Sequence, residues 1–334
     1  MGSRKNRPSD GSGKRVEQVD GTGVPRSTSF LCRAMSPEVP VVSVVVPTYQ
    51  HAAYIEQCLE GILMQKTSFP VEILVGEDES TDGTREICER YAEAHPDRIR
   101  LFLGKRSEVI RINGRPTGRA NFMRLWNGTR GRYIALCEGD DYWTDPMKLQ
   151  KQVDLMESDP ACSMCFHRAM LLKKGEEEHH PIPAEVDLAN VQVEDLLRTY
   201  NFVTTASVLY RDTVLPLPRY MWKVPFADLS LHMHAASKGR IRGMADVMSV
   251  YRISDRGVWS RLSDVQQQRS LLQFYRIMGP HLSGPQRAIV ASKRAELLER
   301  MAHARFPVNP RRKWLHLRYI RFSQYLSAMA YKYR

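Results

Sequence analysis

The chain has 334 residues, 43% of them apolar, enough to bury a substantial core in one large or two smaller domains. Its formal charge of +12 lies at the ends: residues 1–34 hold seven Lys/Arg against three Asp/Glu and residues 301–334 hold eight against none, leaving 34 of each sign in 35–300. A neutral middle removes the main support for nucleic-acid binding. No apolar run reaches the roughly 18 residues of a membrane span, and the polar N-terminus lacks the apolar stretch of a signal peptide, so a cytoplasmic protein is expected.

Residues 1–38 are rich in Gly, Ser, Pro and charge without periodicity and read as a disordered tail, with Met35 an alternative start for the ordered chain. From residue 41 hydrophobic patterning predicts strand 41–47, helix 52–65, strand 71–77, helix 84–95, strand 98–103, helix 119–128, strand 132–138 and helix 146–157. This alternation implies an α/β fold with a mainly parallel sheet flanked by helices. A strand over Ala161–Leu172, a polar excursion to about 190, a helix at 193–199, a strand over Thr204–Tyr210, helix 226–238 and strand 241–251 follow. With no linker between them, 39–158 and 159–260 read as two halves of one domain. Beyond 262 lies a helical extension, Val265–Met278 and Gly284–Ala304. The last segment, 311–334, interleaves basic residues with Trp314, Tyr319, Phe322, Tyr325 and Tyr331. It fits either a helix lying on an anionic membrane surface, peripheral on the inner face of the plasma membrane, or a plain packed helix.

Chemistry is concentrated where strands end. Glu138, Asp140 and Asp141 follow the strand Tyr133–Cys137, and carboxylates so crowded call for a cation, their oxygens suiting Mg²⁺ or Mn²⁺ shared with a phosphate. An acidic turn ahead of the helix near Asp145-Pro146 is the bland alternative. A second acidic run, Glu77-Asp78-Glu79-Ser80-Thr81-Asp82-Gly83-Thr84, ends the strand from Val71, and Pro47-Thr48-Tyr49 ends the first strand. In an open α/β sheet, loops at the carboxyl ends of strands bind ligands, so these three loops point to one crevice. Of the six cysteines, Cys162 and Cys165 have C-x-x-C spacing, with His167 after them, but no second pair accompanies them and core packing is the better reading. His179-His180 and His232/His234 do not form convincing metal pairs either.

The segments Val-Ser-Val-Val-Val-Pro-Thr-Tyr (42–49), Gly-Glu-Asp-Glu-Ser-Thr-Asp-Gly-Thr (76–84) and Gly-Arg-Tyr-Ile-Ala-Leu-Cys-Glu-Gly-Asp-Asp-Tyr-Trp-Thr-Asp-Pro (131–146) resemble the family 2 glycosyltransferases, inverting enzymes of GT-A fold. The likeness runs from about 41 to 260 and is strongest to bacterial enzymes of cell-surface polysaccharide synthesis. It implies a nucleotide-diphosphate sugar donor, a saccharide or lipid-linked acceptor, and Mn²⁺ or Mg²⁺. Carried over by position, Pro47, Thr48, Tyr49 and Asp78 would hold the nucleotide, Tyr49 by packing on the base and Asp78 by accepting hydrogen bonds. Asp140 would bind the metal and Glu138 would face the ribose or the metal's water shell. Arg119 and Asn121 would approach the diphosphate or sugar, or serve the start of their helix instead. Asp228 would be the base that deprotonates the acceptor hydroxyl. Many relatives read Tyr-Arg-x-His where this chain has Tyr251-Arg252-Ile253-Ser254, so Arg252, Asp255 or a water would have to replace the histidine. A nucleotidyltransferase would want a glycine-rich loop after the first strand, which Pro47–His51 is not. A non-catalytic nucleotide-sugar-binding or membrane-surface scaffold is the remaining alternative.

Overall fold

The computed structural model describes residues 39–199, 201–253, 257, 259 and 261–305, with 318, 321, 322 and 325 beyond. The expected tail 1–38, Ser254, Asp255 and most of 311–334 lie outside the described residues. In chain order the first half runs β1 (Val42–Thr48), α1 (Ile55–Leu63), β2 (Val71–Glu77), α2 (Thr84–Ala94), β3 (Ile99–Leu103), the short β4 (Arg111–Ile112) and β5 (Arg115–Pro116), and α3 (Arg119–Gly128). It continues with β6 (Tyr133–Leu136), β7 (Tyr142–Trp143) and α4 (Lys148–Ser158). The second half has β8 (Cys162–Lys173), β9 (Glu176–His179), α5 (Val193–Thr199), β10 (Leu209–Arg211), α6 (Asp228–Ala236) and β11 (Arg240–Ile253), followed by α7 (Asp264–Met278) and α8 (Gly284–Arg305).

The main sheet is ordered β3-β2-β1-β6-β10-β8-β11-β7, with β9 on β8. Its first four strands pair in parallel, as the alternation of strands and helices implies. Beyond β6 the sheet is mixed: β10 runs antiparallel to both neighbours, β8 and β11 are parallel, and β7 is antiparallel to β11. The chain therefore leaves the sheet centre at Leu136 and rejoins it on β11 at Tyr142. The acidic loop bridges that gap.

Residues of β1 alternate between two cores because strand side chains alternate faces. Val42, Val44 and Val46 pack with Ile55, Leu59 and Ile62 of α1 on one side. On the other, Val45 joins a cluster with Trp126, Tyr210, Leu229 and Phe274. The C-terminal helices share this second core, Phe274 of α7 stacking on Phe226 with centroids 4.8 Å apart. Helix α7 starts at a capping box, Ser263 with Gln266.

Two stretches differ from the sequence expectation. Within 204–210 only Leu209 and Tyr210 are strand, because Ser207 donates both its N–H (3.1 Å) and its hydroxyl (2.7 Å) to the Thr204 carbonyl and winds Thr205–Ser207 into a 3₁₀ turn. The polar excursion after Leu172 begins with a hairpin strand, β9, with Lys173 opposite Glu176. Its two-residue turn, Lys174-Gly175, has φ of 53° and 87°, the left-handed pair that matches strand twist. Three consecutive exposed glutamates hide that strand from hydrophobic periodicity.

Candidate active site

The loops after β1 and β2 are joined by side chains of the second loop that accept from backbone N–H groups of the first. Helix α1 has no side-chain cap at Tyr54; the loop after β2 instead holds the segment that leads into it. Gln50 N–H donates to Ser80 Oγ at 2.9 Å, His51 N–H to Thr84 Oγ1 at 2.8 Å and Ala52 N–H to Asp82 Oδ2 at 3.1 Å. Burial works against the Asp82 carboxylate, yet the Thr84 hydroxyl and the Ala52 and Thr84 N–H groups hold its pKa below the ordinary value. Glu77, fully buried, accepts from Arg85 Nε at 2.5 Å and from the Ser80 N–H at 2.6 Å. Two of the four acids in this run therefore build the loop.

Asp78 has a different setting. It is 2% exposed, its Oδ2 accepts from Arg106 Nη1 at 2.9 Å, and its Oδ1 has no hydrogen-bond partner among the described residues. Burial raises its pKa against the opposing charges of Arg106 and Arg124. The Arg106 guanidinium also lies 4.0 Å over the centroid of the Tyr49 ring, which is 38% exposed. Gly104 makes room for this arrangement, since a Cβ there would stand 2.7 Å from both Asp78 Oδ1 and Arg124 Nη1.

The third loop seats on the end of β1. Cys137 N–H donates to Val45 O at 3.1 Å and Gly139 N–H to Pro47 O at 3.1 Å. A Cβ on Gly139 would come within 2.4 Å of Thr48 Oγ1, so the buried Thr48 is the wall against which the Glu138-Gly139-Asp140 turn rests. Asp140 keeps its carboxylate about one-fifth exposed, with Oδ2 3.8 Å from His51 Nε2, while His51 Nδ1 lies 3.2 Å from Thr48 Oγ1. Glu138 is pushed up to about 8 by burial and then by the charges of Asp140 and Asp228. Asp141 is fully buried and raised well above the usual range by burial, then by Asp140 and Glu138. Its Oδ1 accepts the Arg252 N–H at 2.9 Å, and its Oδ2 has no partner among the described residues.

Arg252 ties this loop to the far side of the sheet. Its Nη1 donates to the Asp140 carbonyl at 2.5 Å, its Nη2 to Gln57, and its guanidinium lies 5.0 Å from the Tyr54 ring centroid and 4.4 Å from that of Tyr142. The neighbouring Tyr251 phenol is raised by burial and then by the charges of Asp141, Glu138, Asp140 and Asp228.

Asp228 opens α6. Its Oδ2 accepts from Asn201 Nδ2 at 2.7 Å, and its Oδ1 has no partner among the described residues. Burial raises its pKa, opposed by the Leu229 N–H, Asn201 and Arg119. Arg119 is itself buried, donating Nη1 to the Met221 carbonyl and Nη2 to the Val224 carbonyl at 3.2 Å. It thereby grips the 3₁₀ turn Arg219–Trp222 that leads into α6. Burial lowers its pKa to about 10 despite the nearby Asp228 charge. Asn121 is also buried and donates Nδ2 to Gly76 O at 2.7 Å, fastening α3 to β2. The two side chains expected to reach a diphosphate or sugar thus both donate to protein carbonyls. Hydrophobic patterning gave no sign of Arg106, His51, Asn201 or the Arg252 clamp, whose partners are remote in sequence.

The five described cysteines are free and buried, Cys58 and Cys137 with sulfurs 3.7 Å apart. His232 meets the Tyr210 hydroxyl at 2.7 Å and His234 the Val214 carbonyl at 2.9 Å, on different faces of α6. No group of three or more metal-ligating side chains converges among the described residues.

An open α/β sheet carrying acidic loops at the carboxyl ends of its strands, with the partly buried Asp228 at the start of a later helix, is a layout suited to binding a nucleotide ligand. Residues 43–212 match the family model "Glycosyl transferase family 2", and the chain belongs to that family. It is similar, at 35% identity over 223 residues, to an uncharacterised protein of Mycobacterium tuberculosis, the match covering 65% of this chain and 60% of the relative. The chain thus spans about 60% of the length of that curated relative. It is 34% identical over 129 residues to TuaG of Bacillus subtilis, a glycosyltransferase whose name provisionally places it in teichuronic acid biosynthesis, covering 38% of this chain and 46% of TuaG. Among solved structures, S. aureus TarS 1-349 in complex with UDP-GlcNAc superposes with TM-score 0.58 at 16% identity, covering 87% of this chain and 88% of that one. The mannosyltransferase PcManGT of Pyrobaculum calidifontis, in complex with GDP-Man and Mn²⁺, gives 0.50 at 19% identity, covering 92% and 90%. At these identities the structural likeness concerns the fold.

Proposed function

We propose that the protein is a metal-dependent, inverting glycosyltransferase that moves a sugar from a nucleoside-diphosphate donor to a saccharide or lipid-linked acceptor in cell-surface polysaccharide synthesis. The observation that carries this is the run of carboxylates Glu138, Asp140 and Asp141 on the loop after β6 together with Asp228 at the start of α6, whose Oδ1 is buried and has no hydrogen-bond partner among the described residues. The donors of the structural neighbours, UDP-GlcNAc and GDP-Man, and the name of TuaG support the substrate class.

In this reading the base stacks on Tyr49 and donates to Asp78, with Pro47 and Thr48 forming the floor behind them. The acceptor hydroxyl passes its proton to the free Oδ1 of Asp228 as its oxygen attacks the anomeric carbon. The bond from that carbon to the diphosphate oxygen breaks on the opposite face, and the configuration inverts. Burial keeps Asp228 a stronger base than a solvated carboxylate, and Asn201 fixes its orientation.

The donor set fits a hard divalent cation. Asp140 offers an accessible carboxylate, the crowded Glu138 and Asp141 raise the local demand for positive charge, and such a cation takes one or two carboxylates with the rest of its shell from phosphate and water. Asp140 would hold Mn²⁺ or Mg²⁺, with Glu138 facing the ribose or the ion's water shell. The ion, when bound, neutralises charge on the leaving diphosphate. The basic tail would bring the enzyme to an anionic membrane on the cytoplasmic side, a reading that the exposed Phe322 and Tyr325 support.

The test is release of nucleoside diphosphate from a panel of nucleotide sugars, with Mn²⁺ or with EDTA. Turnover of one donor with Mn²⁺ that EDTA abolishes is expected. Binding of a nucleotide sugar without turnover, across donors and acceptors, would mark a binding protein instead.

A further inference from the structure

Arg106 stands in the loop after β3, between the two groups to which the proposed donor site gives the base. Its guanidinium covers the Tyr49 ring at 4.0 Å and donates to Asp78 Oδ2 at 2.9 Å, while its own N–H is fixed on Glu79 Oε2 at 2.6 Å. The side chain is 30% exposed, whereas the Asp78 carboxylate beneath it is 2% exposed. A guanidinium is flat, stacks on aromatic faces and presents N–H donors along its edge. Uracil and guanine have the same attributes: a planar face, and a ring N–H on the edge away from the sugar. Two flat groups cannot share one ring face at van der Waals separation.

We propose that Arg106 occupies the nucleobase subsite of the empty enzyme as an internal stand-in for the base and swings out when the donor binds. This rests on the reading that Tyr49 and Asp78 receive the base. The contact keeps a buried carboxylate paired while no donor is present, and it covers one face of the Tyr49 ring. It also weakens donor binding, because apparent affinity scales with the fraction of molecules whose subsite is open: if about one in ten is open, the loss is about tenfold.

Nucleosides test this cleanly, since without phosphates they cannot gain from the displaced arginine by any contact to the diphosphate. Uridine and guanosine are titrated by NMR into the full chain, as wild type, Arg106→Ala, Tyr49→Ala and Asp78→Ala. Arg106→Ala is expected to lower the Kd of the nucleoside that binds by about tenfold, while Tyr49→Ala and Asp78→Ala raise it. An unchanged or higher Kd in Arg106→Ala, with Tyr49→Ala still weakening binding, overturns the stand-in and leaves the base site standing. Kd values unaffected by both Tyr49→Ala and Asp78→Ala overturn the base site and the stand-in together. Absence of saturable binding of either nucleoside to a folded Arg106→Ala also overturns it. Arg106→Ser takes its place should the alanine variant lack a cooperative melt.

Discussion

Replacing Arg119 by methionine separates two roles for a buried arginine near a reactive centre. In the structure both terminal nitrogens are committed to the carbonyls of Met221 and Val224. Methionine leaves two buried acceptors unsatisfied at roughly 1–3 kcal/mol each. Relief of the arginine's own desolvation returns part of this, so a net loss of about 2–4 kcal/mol is expected. For a domain of this size that is a melting-point drop of roughly 4–16 °C. The charge beside Asp228 disappears as well. Arg119 opposes the rise in the Asp228 pKa, so its removal raises that pKa further. A base acts deprotonated, so the acid limb of the kcat–pH profile should move to higher pH, with activity recovering above it. Arg119→Lys retains the charge but not the fork, and should restore the pH limb more fully than the melting point. Scanning calorimetry, donor titration and a kcat–pH profile on one preparation decide the matter. A tenfold loss of donor affinity at an unchanged melting point would refute this reasoning and put Arg119 on the diphosphate.

Asp140→Asn should abolish Mn²⁺-dependent turnover, because an amide is a poorer ligand that no longer offsets the cation; near-wild-type release of nucleoside diphosphate would exclude Asp140 as the ligand. Asp228→Asn should keep donor affinity and lose about 10²-fold or more in transfer, and equal loss of both would make Asp228 structural. Gly139→Ala should lower turnover while the melting point falls only modestly, since the new Cβ meets Thr48 Oγ1 at 2.4 Å and must tilt the acidic turn off β1; wild-type kinetics in this variant would show that the turn's position is unimportant. A 1–310 truncation that melts like the full chain should lose salt-sensitive co-sedimentation with anionic vesicles, and equal partitioning of the two forms would remove the membrane role from the tail.

What the sequence disclosed and what it hid divide along the range of the interactions. The strands β1, β2 and β6 are apolar runs covered on both faces, so their limits fall within a residue or two of where patterning puts them. The acidic loops were legible because carboxylates crowd there in the chain itself. Which acids are free for a ligand was not legible. Glu77 and Asp82 look equivalent to Asp78 in the sequence, and only the fold shows that Arg85 claims the first and the Ala52 and Thr84 N–H groups claim Asp82. Arg119 reads as a cation at a helix start, apt for an anion, until the turn at 219–222 is seen to cover it from a hundred residues away. Arg252 is similar: its guanidinium joins Gln57, Asp140 and two tyrosine rings across strands distant in sequence. Arg252, like Asp255 or a water, is a candidate to replace the histidine of many relatives at position 254. In the structure its donors serve the backbone of Asp140 and its own N–H serves Asp141, so it fixes the acidic loop from behind. A residue that holds a carboxylate's backbone shapes where a cation can bind without ligating it, and that distinction belongs to tertiary structure.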